Sequence, residues 1–209
     1  MLKIGALVSG GGTNLQAIID KIESGYISNA KIVTVISSKE DAHALKRADK
    51  YDINSICIKK KDFSDIEEYM QAMINHMEEK EVDLIVLAGF MTVLTSSFIK
   101  KYPNKIINIH PALIPAFCGD GFYGIKVHEA VLERGVKITG ATVHFVNEET
   151  DGGLIIMQKG VEVQDSDTPE SLQKRVMEEA EWVILPEVVK LISENKIQVI
   201  GNKIRRKNK

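Results

Sequence analysis

Leu2-Lys3-Ile4-Gly5-Ala6-Leu7-Val8-Ser9-Gly10-Gly11-Gly12-Thr13-Asn14-Leu15-Gln16 is the stretch on which the reading of this chain turns. Leu2–Val8 is apolar and has the length of a buried strand. Glycines follow at once, and an amphipathic helical pattern then runs over Asn14–Glu23. Strand, glycine turn and helix in immediate succession open an α/β sheet. The rhythm continues downstream. Strands over Lys31–Ser37, Ser55–Ile58, Asp83–Ala88 and Lys105–Ile109 alternate with helical patterns over Ala42–Lys50, Asp62–Lys80 and Ser96–Lys100. In the longest of these helices Ile66, Met70, Met73, Ile74 and Met77 fall at helical spacing. Leu84-Ile85-Val86-Leu87 is apolar without alternation, as in a parallel sheet covered on both faces.

The second half changes character. Pro111–Gly124 is a long loop rich in Gly, Pro and aromatic residues, the kind of segment that binds ligands. A helix over Lys126–Glu133 precedes two strands, Lys137–Val146 and Leu154–Val163, joined through Asn147–Gly153. Thr168 suits a helix N-cap and Pro169 the first helical position. That helix is expected to reach Lys190, with a bend or break at Pro186. The basic run Lys203–Lys209 reads as a solvated tail rather than an RNA-binding arm. The fold class is therefore α/β: a mostly parallel twisted sheet with helices on both faces, and an antiparallel addition in the C-terminal half.

Bulk properties narrow the function. A length of 209 residues, 44% of them hydrophobic, suits one globular unit. A formal net charge of -2 supplies no basic field for nucleic acid. The two cysteines, Cys57 and Cys118, lack a metal-ligand spacing, which favours a reducing compartment. No signal-peptide cleavage pattern follows the first apolar run, and no stretch approaches the ~18 apolar residues of a membrane span. These features point to a soluble cytoplasmic protein, monomer or homodimer, acting on small molecules without nucleic acid or membrane.

Two places carry chemistry. In Ser9–Asn14, glycines let backbone amides approach an anion where the helix dipole favours negative charge, and Thr13 and Asn14 can add side-chain donors. A dinucleotide fingerprint would need glycine at Leu15 and an acid near Ile36-Ser37-Ser38-Lys39. A Walker loop would need Lys-Ser/Thr. What remains is a monophosphate cradle, or else a plain tight turn. The second place joins Asn108-Ile109-His110-Pro111 to Asp151-Gly152-Gly153. Asn108 and His110 are two apart, so on a strand both side chains point the same way. Asp151 suits a turn, but beside His110 it would raise the imidazole pKa and favour its charged form. An amide and an imidazolium stabilise an oxyanion. His43 and His76 read as surface residues and His144 as structural. His128-Glu129 lacks the second histidine of a zinc helix, so no metal is expected. No nucleophile elbow is present, so the acceptor must be the substrate itself.

In their order, Ser9–Gln16, Leu87-Ala88-Gly89-Phe90-Met91, Asn108–Pro111, Thr142–Val146 and Asp151–Gly153 resemble the folate-dependent phosphoribosylglycinamide formyltransferases over about residues 2–190. The resemblance implies a formyltransferase-type, Rossmann-like fold. It implies a single domain over 1–209, with a phosphate-binding half over 1–100, a catalytic and folate-binding half over 101–195 and a C-terminal tail over 196–209. It also implies formyl transfer from 10-formyltetrahydrofolate, a co-substrate, to the amine of N1-(5-phosphoribosyl)glycinamide, without a metal. Gly12, Thr13, Asn14 and Glu181 match the substrate-binding positions. Met91, Thr92, Val93, Leu94 and Asn108 match the folate-binding ones, and Asn108, His110 and Asp151 the catalytic trio. The chain departs from the pattern at Asp65-Ile66, where a basic residue is common, in the Pro111–Gly124 loop, and in the longer turn before Glu181. Formyltetrahydrofolate deformylase shares the trio but is expected to carry a further N-terminal domain. Methionyl-tRNA formyltransferase needs a C-terminal tRNA-binding domain. A non-catalytic nucleotide-binding module would leave the trio without work.

Overall fold

Strand β1 (Leu2–Val8) is flanked in parallel by β2 (Ala30–Ser37) and β4 (Leu84–Leu87). The computed structural model describes residues 1–207, and the chain divides into two units, Met1–Asn108 and Ile109–Lys209. In the first unit β3 (Ser55–Cys57) continues the sheet beyond β2, and β5 (Ile106–His110) pairs in parallel with β4. All four residues of β4 are buried, so both faces of that strand are covered. Helices α1 (Thr13–Glu23), α2 (His43–Lys50), α3 (Ile66–Glu79) and α4 (Ser96–Lys101) connect the strands. Helix α3 buries Met70, Met73, Ile74 and Met77 of the expected stripe together with Tyr69, each worth roughly 1.5–3 kcal/mol relative to exposure, while Ile66 at its first position is only half-buried. It starts later than the pattern suggested. Asp65 caps it by accepting from the Glu68 amide, and a short 3-10 turn occupies Lys60–Asp62.

Chain order runs outward from β1 to β3 in one direction and from β4 to β5 in the other. The seam between β1 and β4 is thus a topological switch point, where ligands sit outside the carboxyl ends of parallel strands. The register pairs Leu7 with Leu87 and Leu87 with Asn108, so these three residues lie level near the carboxyl ends of their strands.

In the second unit, helix α5 (Ile125–Arg134) precedes β6 (Ile138–Phe145) and β7 (Ile155–Glu162), an antiparallel pair. The full strand order is β3-β2-β1-β4-β5-β6-β7, which is the expected α/β class with its antiparallel addition. Helix α6 (Pro169–Val176) opens with the expected Thr168 cap, reinforced by a reciprocal bond with Ser171.

Two expectations need correcting. Pro186 does not break the helix, for it lies inside α7 (Trp182–Ser193). The interruption falls earlier, at a π-turn over Met177–Glu181, where the Trp182 amide reaches back to the Met177 carbonyl. An extra residue per turn resets the register there, and the carbonyl that Pro186 leaves without its amide belongs to Trp182, in the first turn after that reset. The basic terminus is solvated, with Lys203, Arg205 and Arg206 exposed, but it is not a structureless tail. Strands β8 (Ile197–Ile200) and β9 (Lys203–Arg206) form an antiparallel hairpin that pairs Val199 with Ile204. Alternating apolar residues on one face outweigh the charges. Asn208 and Lys209 lie outside the described residues. Both cysteines are free thiols, and no helix among the described residues is long and apolar enough to cross a membrane.

Candidate active site

In the first unit, β1 runs straight into the glycine loop. Gly12 takes φ 71°, the left-handed region that glycine enters without strain, and stands at the N-terminus of α1. Thr13 and Asn14 form the first helical residues, at the end where the helix dipole is positive. Ser9 ties this loop to its surroundings. Its hydroxyl meets the Ser38 hydroxyl at 2.7 Å and accepts from the Met91 amide at 2.9 Å. The glycine loop and the Gly89–Leu94 segment are therefore joined across the β1/β4 seam. In that segment Val93 is 72% exposed and Met91 52%, while Leu94 is buried and Thr92 half-buried. Two apolar side chains left in solvent at a switch point offer a surface to an aromatic ring. Asn108 lies level with Leu87, at the strand end that leads into this segment. Of the lysines near Ile66, Lys59 is engaged by Glu40 at 2.5 Å.

Asn108 and His110 both belong to β5, so their side chains point to one side of the strand. In the second unit His110 meets Asp151: its Nδ1 lies 3.4 Å from Oδ2. His144, on β6, faces the other oxygen, with Nε2 3.5 Å from Oδ1. His110 is 4% exposed, His144 2% and the Asp151 side chain 9%. The amide of Gly119 donates to Asp151 Oδ2 at 3.0 Å. His110 Nε2 lies 2.8 Å from the Phe117 carbonyl, which can only accept, so the ring proton sits on Nε2. By the same logic His144 donates from Nδ1 to the Phe145 carbonyl at 2.8 Å. The Pro111–Gly124 loop thus closes on the cluster through two backbone groups. Thr142 fixes the start of that loop, donating to the Ala112 carbonyl at 2.7 Å and accepting from the Ile114 amide at 3.1 Å.

The carboxylate is held by a strained turn. Asp151 has φ 55°, a left-handed value that costs a non-glycine residue on the order of 1–3 kcal/mol. Gly153 explains the turn's composition: a Cβ there would lie 1.7 Å from the Phe145 carbonyl oxygen, so no other residue fits.

Electrostatics overturn one expectation. Asp151 does favour the charged form of His110, but burial acts more strongly and holds the imidazole below its ordinary pKa. At neutral pH His110 rests uncharged. For Asp151, burial pushes the carboxyl up. The His144 contact, the Gly119 amide and the imidazole charges together outweigh that and bring it below the ordinary carboxylate range. His128, on α5, is wholly buried, and neither ring nitrogen has a hydrogen-bond partner among the described residues. Burial, then the charge of nearby His110, push it down to about 4.

The sequence reading missed His144 as a member of the cluster. A signal was present: a histidine flanked by Val143 and Phe145 in a buried strand must find a polar partner. His76 is likewise not a plain surface residue, since its Nε2 meets the Thr34 hydroxyl at 2.8 Å. Glu181 is buried at the end of the π-turn.

A family model described as Formyl transferase matches residues 2–189. The chain belongs to the formyl transferase family. It is 42% identical over 202 residues to phosphoribosylglycinamide formyltransferase of Haemophilus influenzae, covering 97% of this chain and 92% of that one. It is also 42% identical to the trifunctional purine biosynthetic protein adenosine-3 of Gallus gallus, but spans only 19% of that protein's length. Among solved structures, glycinamide ribonucleotide transformylase 1 of Symbiobacterium toebii superposes with a TM-score of 0.93 at 36% identity, covering 100% of this chain and 95% of that one. A formyltetrahydrofolate deformylase of Pseudomonas syringae pv. tomato is similar at TM-score 0.87 and 26% identity, and this chain covers 66% of it. Formyl transfer passes a carbonyl carbon from one nitrogen to another. A formyltransferase therefore needs an oxyanion donor and a group that moves a proton, the chemistry that an amide and a paired imidazole supply.

Proposed function

We infer that this chain transfers the formyl group of 10-formyltetrahydrofolate to the amine of N1-(5-phosphoribosyl)glycinamide, a step of de novo purine synthesis in the cytoplasm. Folate is a co-substrate, and the transfer is direct, through a tetrahedral intermediate. The observation that carries this reading is the Asp151 carboxylate held between the buried rings of His110 and His144. Asn108 stands two residues before His110 on the same strand.

The amine attacks the formyl carbon, and the Asn108 amide donates to the oxyanion that develops. His110 starts neutral, as its burial requires. When the Phe117 carbonyl withdraws, the ring proton can move to Nδ1 beside Asp151, leaving the Nε2 lone pair to take the proton of the attacking amine. The imidazolium so formed is stabilised by Asp151, and its Nε2–H then passes the proton to the departing folate nitrogen. His144 stands at the far side of the carboxylate, its Nε2 3.5 Å from Oδ1. Gly12, Thr13 and Asn14 take the phosphate of the substrate and Glu181 its ribose hydroxyls. Met91, Thr92, Val93 and Leu94 line the pterin, beside Asn108.

The test is to incubate the protein with 10-formyltetrahydrofolate, with and without the phosphoribosyl amine, and follow the folate absorbance. Change only with the amine is expected. Equal change without it would make the protein a deformylase, and no change in either tube would make it a non-catalytic module.

A further inference from the structure

Each carbonyl of the glycine loop has a partner behind the loop. The Gly10 carbonyl accepts from the Ala44 amide at 3.1 Å, at the start of α2. The Gly11 carbonyl accepts from Arg47 Nε at 2.8 Å, one turn further along α2. The Gly12 carbonyl accepts from the Gln16 amide at 2.9 Å, the first bond of α1. Helix α2 is pressed close: a Cβ on Gly12 would lie 2.6 Å from Ala44 Cβ and 3.4 Å from Arg47 Cδ.

In a trans peptide the C=O and the following N–H point in opposite directions. Drawing the Gly10 and Gly11 carbonyls toward α2 therefore turns the Gly11 and Gly12 amides away from it. The Gly11–Gly12 peptide is free to rotate, since glycine flanks it on both sides; the same is true of the Gly10–Gly11 peptide, whose carbonyl the Ala44 backbone amide holds. Rotated, the Gly11–Gly12 peptide would aim an oxygen at any bound anion. Among the described residues Arg47 is the only side chain that donates to that carbonyl, and it is itself fixed. Its Nη1 donates to Gln16 Oε1 at 3.0 Å, and Gln16 is oriented by donating to Asp20 Oδ1 at 2.7 Å.

We propose that Arg47 is a positioning residue for the phosphate of the substrate: it holds the Gly11 carbonyl to the rear so that the loop presents amides, not oxygens, to the anion. The proposal rests on the reading of Gly12–Asn14 as a phosphate cradle. Arg47 needs no contact with substrate, and its effect is confined to the phosphate.

The experiment compares wild type, Arg47→Ala and Arg47→Lys on the phosphoribosyl substrate, on the same substrate without its phosphate, and with inorganic phosphate as competitor. For Arg47→Ala we expect the KM for the phosphorylated substrate and the inhibition constant of phosphate to rise together by about 10-fold or more, the loss of a charge-assisted bond. Turnover and folate KM should stay within about threefold, and kcat/KM for the dephosphorylated substrate should not change. Arg47→Lys, which can reach one of the two acceptors at a time, should recover part of the loss. An equal loss on both substrates, or no loss, overturns the proposal. Full recovery by lysine also overturns it, because a point charge would then suffice. If Arg47→Ala does not fold, Gln16→Ala, which frees the guanidinium, should give the same phosphate-specific rise at smaller size, and its absence is equally decisive. The cradle itself is tested separately: a wild type that treats both substrates alike rejects the phosphate site. A wild type that prefers the phosphate, with that preference intact in Arg47→Ala, rejects only the role of Arg47.

Discussion

The glycine loop and the imidazole–carboxylate cluster reach polarity by opposite means. The loop uses neutral peptide dipoles within one contiguous stretch, each carbonyl fixed by a neighbour a short way off. The cluster buries three ionisable side chains brought from β5, β6 and the turn after β6. In the loop, geometry alone decides what an anion meets. In the cluster, burial competes with charge, and for His110 burial wins despite a carboxylate 3.4 Å away. Backbone sites are thus set by local shape, whereas buried ionic sites are set by a balance that a single substitution can tip.

The largest expected effect tests how rigidly the turn holds the carboxylate. Gly153→Ala drives a methyl into the Phe145 carbonyl and should cost more than about 3 kcal/mol, read from urea midpoints. Gly152→Ala meets the Glu149 carboxyl, which can turn aside, and the Glu149 Cβ at 2.7 Å, which moves only with its backbone, and should cost less than Gly153→Ala, about 1–3 kcal/mol. Equal costs would mean that the turn is not pinned by that close approach.

Next comes the charge itself. Asp151→Asn should lower turnover by at least ~10². It should also move the acidic limb of the rate profile to lower pH. Activity needs neutral His110, the Asp151 charge raises the affinity of that ring for a proton, and removing the charge lets the ring stay neutral further into acid. A limb that stays in place or moves upward denies the coupling.

A smaller effect concerns stability. Folded His128 takes its proton only near pH about 4, whereas an unfolded histidine does so near about 6.5. The unfolded chain binds more protons between these values, so stability rises with pH across that window and falls as pH drops through it. The share of His128 is on the order of 3 kcal/mol. His128→Phe should flatten the slope of unfolding free energy between pH 4 and 6.5 by about that amount, and an unchanged slope would assign acid lability elsewhere.

The parts of the molecule that are local in sequence were legible. Leu2–Val8 is β1 to the residue, the α3 stripe is buried apart from Ile66 at its start, and Thr168 caps α6 as its position implied. His110 and Asp151 were paired correctly because few other residues could use their places. What could not be read depends on contacts between distant segments. Nothing in Thr142-Val143-His144 tells that the ring meets Asp151, and nothing in Phe117 tells that its carbonyl takes the His110 proton donor. The charge state of His110 was misjudged because depth of burial is not written in spacing. The π-turn and the terminal hairpin were missed for a simpler reason: Pro186 and a run of basic residues are louder signals than the weak periodicities that prevailed.

The most direct measurement is the turnover of His110→Ala with 10-formyltetrahydrofolate and the phosphoribosyl amine, alongside its folate affinity. We expect turnover to fall by at least ~10² with folate binding nearly intact, as loss of the proton carrier requires. Near-normal turnover in that variant would remove His110, and the cluster around it, from the chemistry.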